Sequence, residues 1–235
     1  KTVKKNPEIK GAWGFLPVDK SHSLLGLEVP NGIQLWNSVT NKIVDSSIVY
    51  RMPDPQKGSS VLSLEQDCFG IKSVGAYYDL LWSPPDSPFV FRPYKDPHSG
   101  MPFGHSFIRS ILSAKDSSLW IGAEDGLYHM RYNPNFNQYQ LVSDASSVGK
   151  TTISDLFEDH WGNIWVATKG KGVACIQKDN SPVKWYGMPE GLCDSMVCRI
   201  ESSHNDSVLW ISTHNGLSRF VVNRAIFHNF YEESG

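Results

Sequence analysis

Residues able to do covalent or acid/base chemistry are present in number, but not in any spacing that catalysis uses. A nucleophile with its base, a carboxylate pair or a metal-ligand set has to be brought together by the chain. The sequence carries no Gly-x-Ser-x-Gly, no His-Glu-x-x-His, no phosphate-cradling glycine loop and no calcium loop. Glu158-Asp159 and Glu232-Glu233 are adjacent carboxylates, yet successive residues on a strand point to opposite faces, so neither makes an acid/base pair alone. The histidines, at 22, 98, 105, 129, 160, 204, 214 and 228, lack the spacing of a metal site. The expectation is a binding protein, not an enzyme, with no cofactor and no metal.

Binding chemistry is better represented. Arg109 and Arg199 can donate in a fixed fork, and Asp155 can accept from hydroxyls. Trp185 and Tyr186, with Asp194 nearby, offer a stacking face beside an acceptor, a combination that suits sugars. The competing expectations are an internal salt-bridge network for Arg109, Asp155 and Arg199, and plain outer-strand packing for Trp185 and Tyr186.

An internal repeat positions these residues. Ser118-Leu119-Trp120-Ile121-Gly122, Asn163-Ile164-Trp165-Val166-Ala167 and Val208-Leu209-Trp210-Ile211-Ser212 align, with the tryptophans 45 residues apart twice over, from 120 to 165 and from 165 to 210. Gly126-Leu127, Gly172-Val173 and Gly216-Leu217 follow them, and Ile108, Ile153 and Val197 precede them, at distances that agree to within one residue. Two weaker copies put Ser73 and Leu25 in place of the tryptophan. Because one position recurs in every strong repeat, Trp120, Trp165 and Trp210 are expected to pack between repeats and are left out of the site.

Within a repeat, Asp125-Gly126 and Asn215-Gly216 read as two-residue hairpin turns with positive φ at both central positions. Asp159-His160-Trp161-Gly162 reads as a tight turn in which Asp bonds the backbone and Gly takes the left-handed position. Pro182–Tyr186 and Ala225–Tyr231 supply a fourth strand. Four short antiparallel strands per repeat predict an all-β fold, a β-propeller of about five four-stranded blades, partial or truncated. The blades fall at about 9–55, 56–100, 105–148, 151–191 and 195–235. Arg109, Asp155 and Arg199 then sit on innermost strands, where the repeats disagree in sequence. Trp185, Tyr186 and Asp194 sit at the edge that also carries the Asp-Gly and Asn-Gly turns.

Composition narrows the partners. With 40% hydrophobic and 20% charged residues and a formal net charge of −2, the chain has ordinary globular make-up. Lys1, Lys4 and Lys5 form its one basic cluster, which excludes a nucleic-acid footprint. No apolar run reaches membrane-span length, and the lack of an initiator Met suggests a piece of a longer chain. Cys68, Cys175, Cys193 and Cys198 are too few for a disulfide framework. Whether Cys193 and Cys198 are bonded to each other stays open.

Ile153–Thr168 and Val208–Phe220 resemble the repeat of two-component regulator propellers, as does the connection Met188–Val197. The resemblance holds from about Phe107 to Gly235. Residues before Pro102 depart from it, lacking the tryptophan and carrying Pro84-Pro85-Asp86-Ser87-Pro88. It implies the periplasmic sensor region of a Bacteroidetes hybrid two-component histidine kinase. Such a region recognises an oligosaccharide and signals to a cytoplasmic kinase, working with further blades and an immunoglobulin-like domain of the same chain in a homodimeric receptor. The competing function is a protein-interaction scaffold, and a third is a propeller lyase or glycan hydrolase.

Overall fold

A strand that opens each repeat on a β-branched residue needs a recess in its neighbour, and the glycines of the repeat provide it. The computed structural model describes residues 10–29, 32–45, 61–76, 79–87, 89–95, 106–143, 147–179, 181–203 and 205–232. Asn31, Pro88, His98, His105, His204, Glu233 and the lysines at 1, 4 and 5 lie outside them.

Among the described residues, twenty strands form five four-stranded antiparallel sheets, each a meander in chain order. The first comprises β1 (Lys10–Pro17), β2 (His22–Val29), β3 (Gly32–Asn37) and β4 (Lys42–Asp45). The second comprises β5 (Ser63–Gln66), β6 (Lys72–Gly75), β7 (Leu80–Ser83) and β8 (Arg92–Pro93). The third comprises β9 (Ile108–Ser113), β10 (Ser118–Ala123), β11 (Leu127–Asn133) and β12 (Gln138–Ser143). The fourth comprises β13 (Ile153–Glu158), β14 (Ile164–Thr168), β15 (Val173–Ile176) and β16 (Lys184–Tyr186). The fifth comprises β17 (Val197–Ser202), β18 (Val208–Thr213), β19 (Gly216–Val221) and β20 (Ile226–Phe230). The chain divides into two compact units, Lys1–Ile111 with Asn133–Gln138, and Leu112–Tyr132 with Tyr139–Gly235.

In the first unit, Leu24, Ile33, Val61, Val74 and Leu81 are buried in one cluster. A Cβ on Gly26 would lie 2.4 Å from Val61 Cγ1, and one on Gly75 would lie 2.5 Å from Ile108 Cγ2. These sheets stack by seating a β-branched side chain over a bare α-carbon, a fit tighter than any methyl group would allow. In the second unit, Ile153 seats on Gly122 in the same way, 2.6 Å from where a Cβ would be. Ala167 and Val197, the corresponding pair of the next sheets, are fully buried in one cluster.

The hairpin turns differ from the sequence expectation. Thr213 pairs with Gly216, so the central residues are His214 and Asn215, and neither has positive φ. Gly126 and Gly216 do, at 152° and 126°, but each follows the turn's central pair. The need for glycine at 172 and 216 comes from the outermost strand. A Cβ at either would stand 2.4 Å from a carbonyl oxygen, of Tyr186 or Phe230 respectively.

The innermost strands β13 and β17 each carry a bulge, at Ser154 and Cys198. The extra residue bends the strand and re-aims its neighbours. The Ser154 hydroxyl donates to the Val197 carbonyl at 2.7 Å, and the Ile200 N–H donates to Asp155 Oδ2 at 2.9 Å. In the first unit the Ile111 N–H donates to Ser63 Oγ at 2.9 Å. Side chain to backbone bonds thus tie β9 to β5 and β17 to β13.

Candidate functional site

Asp155 and Arg199 meet on adjacent inner strands, with Arg199 Nε 3.7 Å from Asp155 Oδ2. Asp155 is buried and already accepts the Ile200 N–H, while the Arg199 side chain keeps 71% of its surface exposed. Arg109 belongs to the first unit, half-buried, with its guanidinium carbon 5.1 Å from the centre of the Phe107 ring.

At the edge carrying the β14–β15 turn, Trp185 is half-buried, with Lys171 Nζ 6.0 Å from its ring centre. Tyr186 turns into the sheets, with ring centres 5.6 Å from Trp165, 4.8 Å from Phe220 and 6.4 Å from Phe227. Burial pushes its hydroxyl above the usual phenol range. Asp194 accepts the Met196 N–H at 3.0 Å.

The repeat tryptophans diverge. Trp165 is buried between sheets as expected. Trp120 is half-buried and stacks on His129 at 4.1 Å with an interplanar angle of 11°. Trp210 departs from the packing expectation, remaining 36% exposed with Phe230 of its own sheet 6.1 Å away.

The most site-like feature lies at the opposite edge of the fourth and fifth sheets. Asp159, almost fully buried, uses Oδ1 to accept the N–H groups of Trp161 and Asn163, at 3.0 and 2.9 Å. Its Oδ2 accepts from Asn163 Nδ2 and from the Trp165 indole, at 2.8 and 2.9 Å. Gly162 takes φ 86° as the spacing implied. This turn leaves Trp161 49% exposed at its tip. Asp206 Oδ2 accepts the His160 N–H at 2.7 Å and lies 3.2 Å from its Nδ1. The His160 ring lies 3.5 Å from the Trp161 ring, so the indole is braced from one side.

Around it opens a cleft of about 660 Å³, lined by His160, Trp161, Asn163, Asn205, Ser207, Val222 and Asn223. Its volume is that of a small-ligand site. An exposed indole covers the C–H face of a pyranose ring, and amides, a hydroxyl and an imidazole can exchange hydrogen bonds with its hydroxyls. Asn205 Oδ1 already accepts from Ser207 and Ser203, which leaves its amide N–H groups as the donors it can offer.

Sequence reasoning read this segment as turn chemistry alone. The signal it missed is that Asp67-Cys68-Phe69-Gly70 and Asp159-His160-Trp161-Gly162 both set an exposed aromatic between their Asp and Gly, Phe69 in one and Trp161 in the other. For other chemistry, the Cys175 thiol is pushed up to about 12 by burial and by Asp159, which keeps it protonated and inert. None of the four cysteines is in a disulfide. Among the described residues no group of three or more His, Cys, Asp or Glu side chains could hold a metal ion.

Sheets of this kind, meandering and seated on one another, define a β-propeller protein, and comparison with solved structures agrees. The extracellular domain assigned to the hybrid two component system BT4673 of B. thetaiotaomicron matches 100% of this chain at TM-score 0.70 and 17% identity. PorZ of Porphyromonas gingivalis, a component of the type-IX secretion system, matches 92% at TM-score 0.67 and 16% identity. Virginiamycin B lyase of Staphylococcus aureus, an enzyme, matches 99% at TM-score 0.70 and 15% identity. At these identities the likeness is one of fold. The chain spans 29% of the BT4673 domain, 32% of PorZ and 74% of the lyase. Residues 147–170, which contain β13 and β14, match the model of the two component regulator propeller family. No curated protein matches the chain. Among the described residues no helix is long and apolar enough to cross a membrane.

Proposed function

We propose that this chain is part of the extracytoplasmic, periplasmic sensor region of a hybrid two-component system and binds an oligosaccharide in the cleft around Trp161. The observation that carries the reading is the exposed indole among amide and hydroxyl groups. The regulator repeat and the BT4673 likeness support the sensor setting. In that setting the output is a rearrangement relayed to a histidine kinase, not a product. Further blades and an immunoglobulin-like domain of the same protein, in a homodimer, complete the receptor. Arg109, the Asp155–Arg199 pair and the Trp185–Tyr186–Asp194 edge remain secondary places to hold a sugar.

Calorimetric titration against plant, host and microbial oligosaccharides tests the reading. One glycan class binds with a dissociation constant near the micromolar range. Trp161→Ala weakens it roughly 30-fold, about 2 kcal/mol, as expected for an exposed aromatic anchor. The glycan is recovered intact, which separates binding from lyase or hydrolase chemistry. Silence across the panel would move the assignment to a protein-interaction scaffold.

A further inference from the structure

The second unit holds another cavity, of about 330 Å³, which shares His160 with the Trp161 cleft and is walled by Trp120, His129, Arg131, Gln177 and Lys178. Two of its polar atoms, His129 Nε2 and Gln177 Oε1, are buried without a hydrogen-bond partner. Burial, with Arg131 beside it, holds His129 below the usual imidazole range, so near neutral pH it is an uncharged ring with one N–H to give. Buried donors and acceptors without a protein partner are rare in a native fold, and an ordered water or a polar group of a bound molecule satisfies them.

The charges of the lining say which kind. Lys115, Arg131 and Lys178 face Asp116 and Glu158, an excess of cations. The two carboxylates already have partners. Asp116 accepts from Ser118 N and Oγ, at 3.0 and 2.6 Å, and Glu158 accepts the Lys115 N–H at 2.8 Å. Lys115 Nζ donates to the Asp159 carbonyl at 2.7 Å. Arg131 and Lys178 are exposed and make no ion pair within 4 Å among the described residues. A cationic rim around an unsatisfied imidazole suits a carboxylate or a sulfate.

Resting on the glycan reading above, we infer that the ligand is an acidic oligosaccharide, one sugar lying on Trp161 and the acidic group of a neighbouring sugar held by Arg131, Lys178 and His129. The shared wall at His160 makes the two cavities adjacent subsites.

The test titrates the chain with tetragalacturonate and with chondroitin sulfate and heparin tetrasaccharides. The neutral set is methyl-esterified tetragalacturonate with galactan and mannan tetrasaccharides. The inference expects an acidic probe to bind at least about tenfold tighter than any neutral one. It also expects that affinity to fall steeply between about 50 and about 500 mM salt, and to drop about tenfold in both Arg131→Gln and Lys178→Gln. Neutral binding equal to acidic, or acidic binding indifferent to both variants, overturns the inference. If Trp161→Ala still weakens that binding roughly 30-fold, the glycan reading stands. Failure of both sets to bind overturns the two together.

Discussion

Asp159→Ala is expected to destabilise the second unit by about 4 kcal/mol, because it strands two backbone N–H groups, an amide and a buried indole at once. In a chain of this size that lowers the melting temperature by roughly 10 °C. Glycan binding should fall with it, since the same carboxylate shapes the turn that presents Trp161. Denaturant unfolding followed by tryptophan fluorescence measures the effect. Asp194→Ala, which frees a single N–H in a half-buried connection, should cost less than about 1 kcal/mol. Equal effects from the two variants would contradict the brace assigned to Asp159.

The seating of Ile153 on Gly122 gives the second large effect. Gly122→Ala forces a methyl group to where Ile153 Cγ2 lies 2.6 Å away, and is expected to cost about 2 kcal/mol by overpacking. Ile153→Ala leaves a cavity in a fully buried site and is expected to cost about 3 kcal/mol. The double variant should be more stable than the sum by about 1 kcal/mol or more, because the new methyl enters the space the isoleucine vacates. Additive costs would show that the two residues do not interlock.

The parts of this fold that repeat were legible. Ile108, Ile153 and Val197 could be placed from their distance to the tryptophans, and for Ile108 and Ile153 the structure gives the cause, a β-branched knob over a glycine in the preceding sheet. The same device explains why residues before Pro102 fold as two further sheets without the tryptophan. Gly26 with Val61 and Gly75 with Ile108 keep the seat, while Leu24, one residue before the Leu25 expected from the sequence, and Ser73 fill the tryptophan position and are buried. The turn type at Asn215-Gly216 was not legible, because what demands glycine there is the Phe230 carbonyl, a contact from the last strand of the sheet.

Single, non-repeating features were hardest to read. Asp155 and Arg199 were found because repeats differ at those positions, and the structure does bring them together. Trp161 was hidden by its neighbours, since Asp159 and Gly162 account for the turn without it and only the fold reveals an indole left at its tip. The cavity at His129 could not be foreseen, because its wall joins residues from separate turns of the third and fourth repeats.

The most direct test of where this protein binds is a proton–nitrogen correlation spectrum of its eight tryptophan indoles, assigned by single Trp→Phe variants and recorded with and without the bound glycan. The account predicts that the Trp161 signal moves while that of Trp165, held on Asp159, stays in place. Movement of Trp185 with Trp161 unchanged would put the site at the opposite edge of the sheets and contradict it.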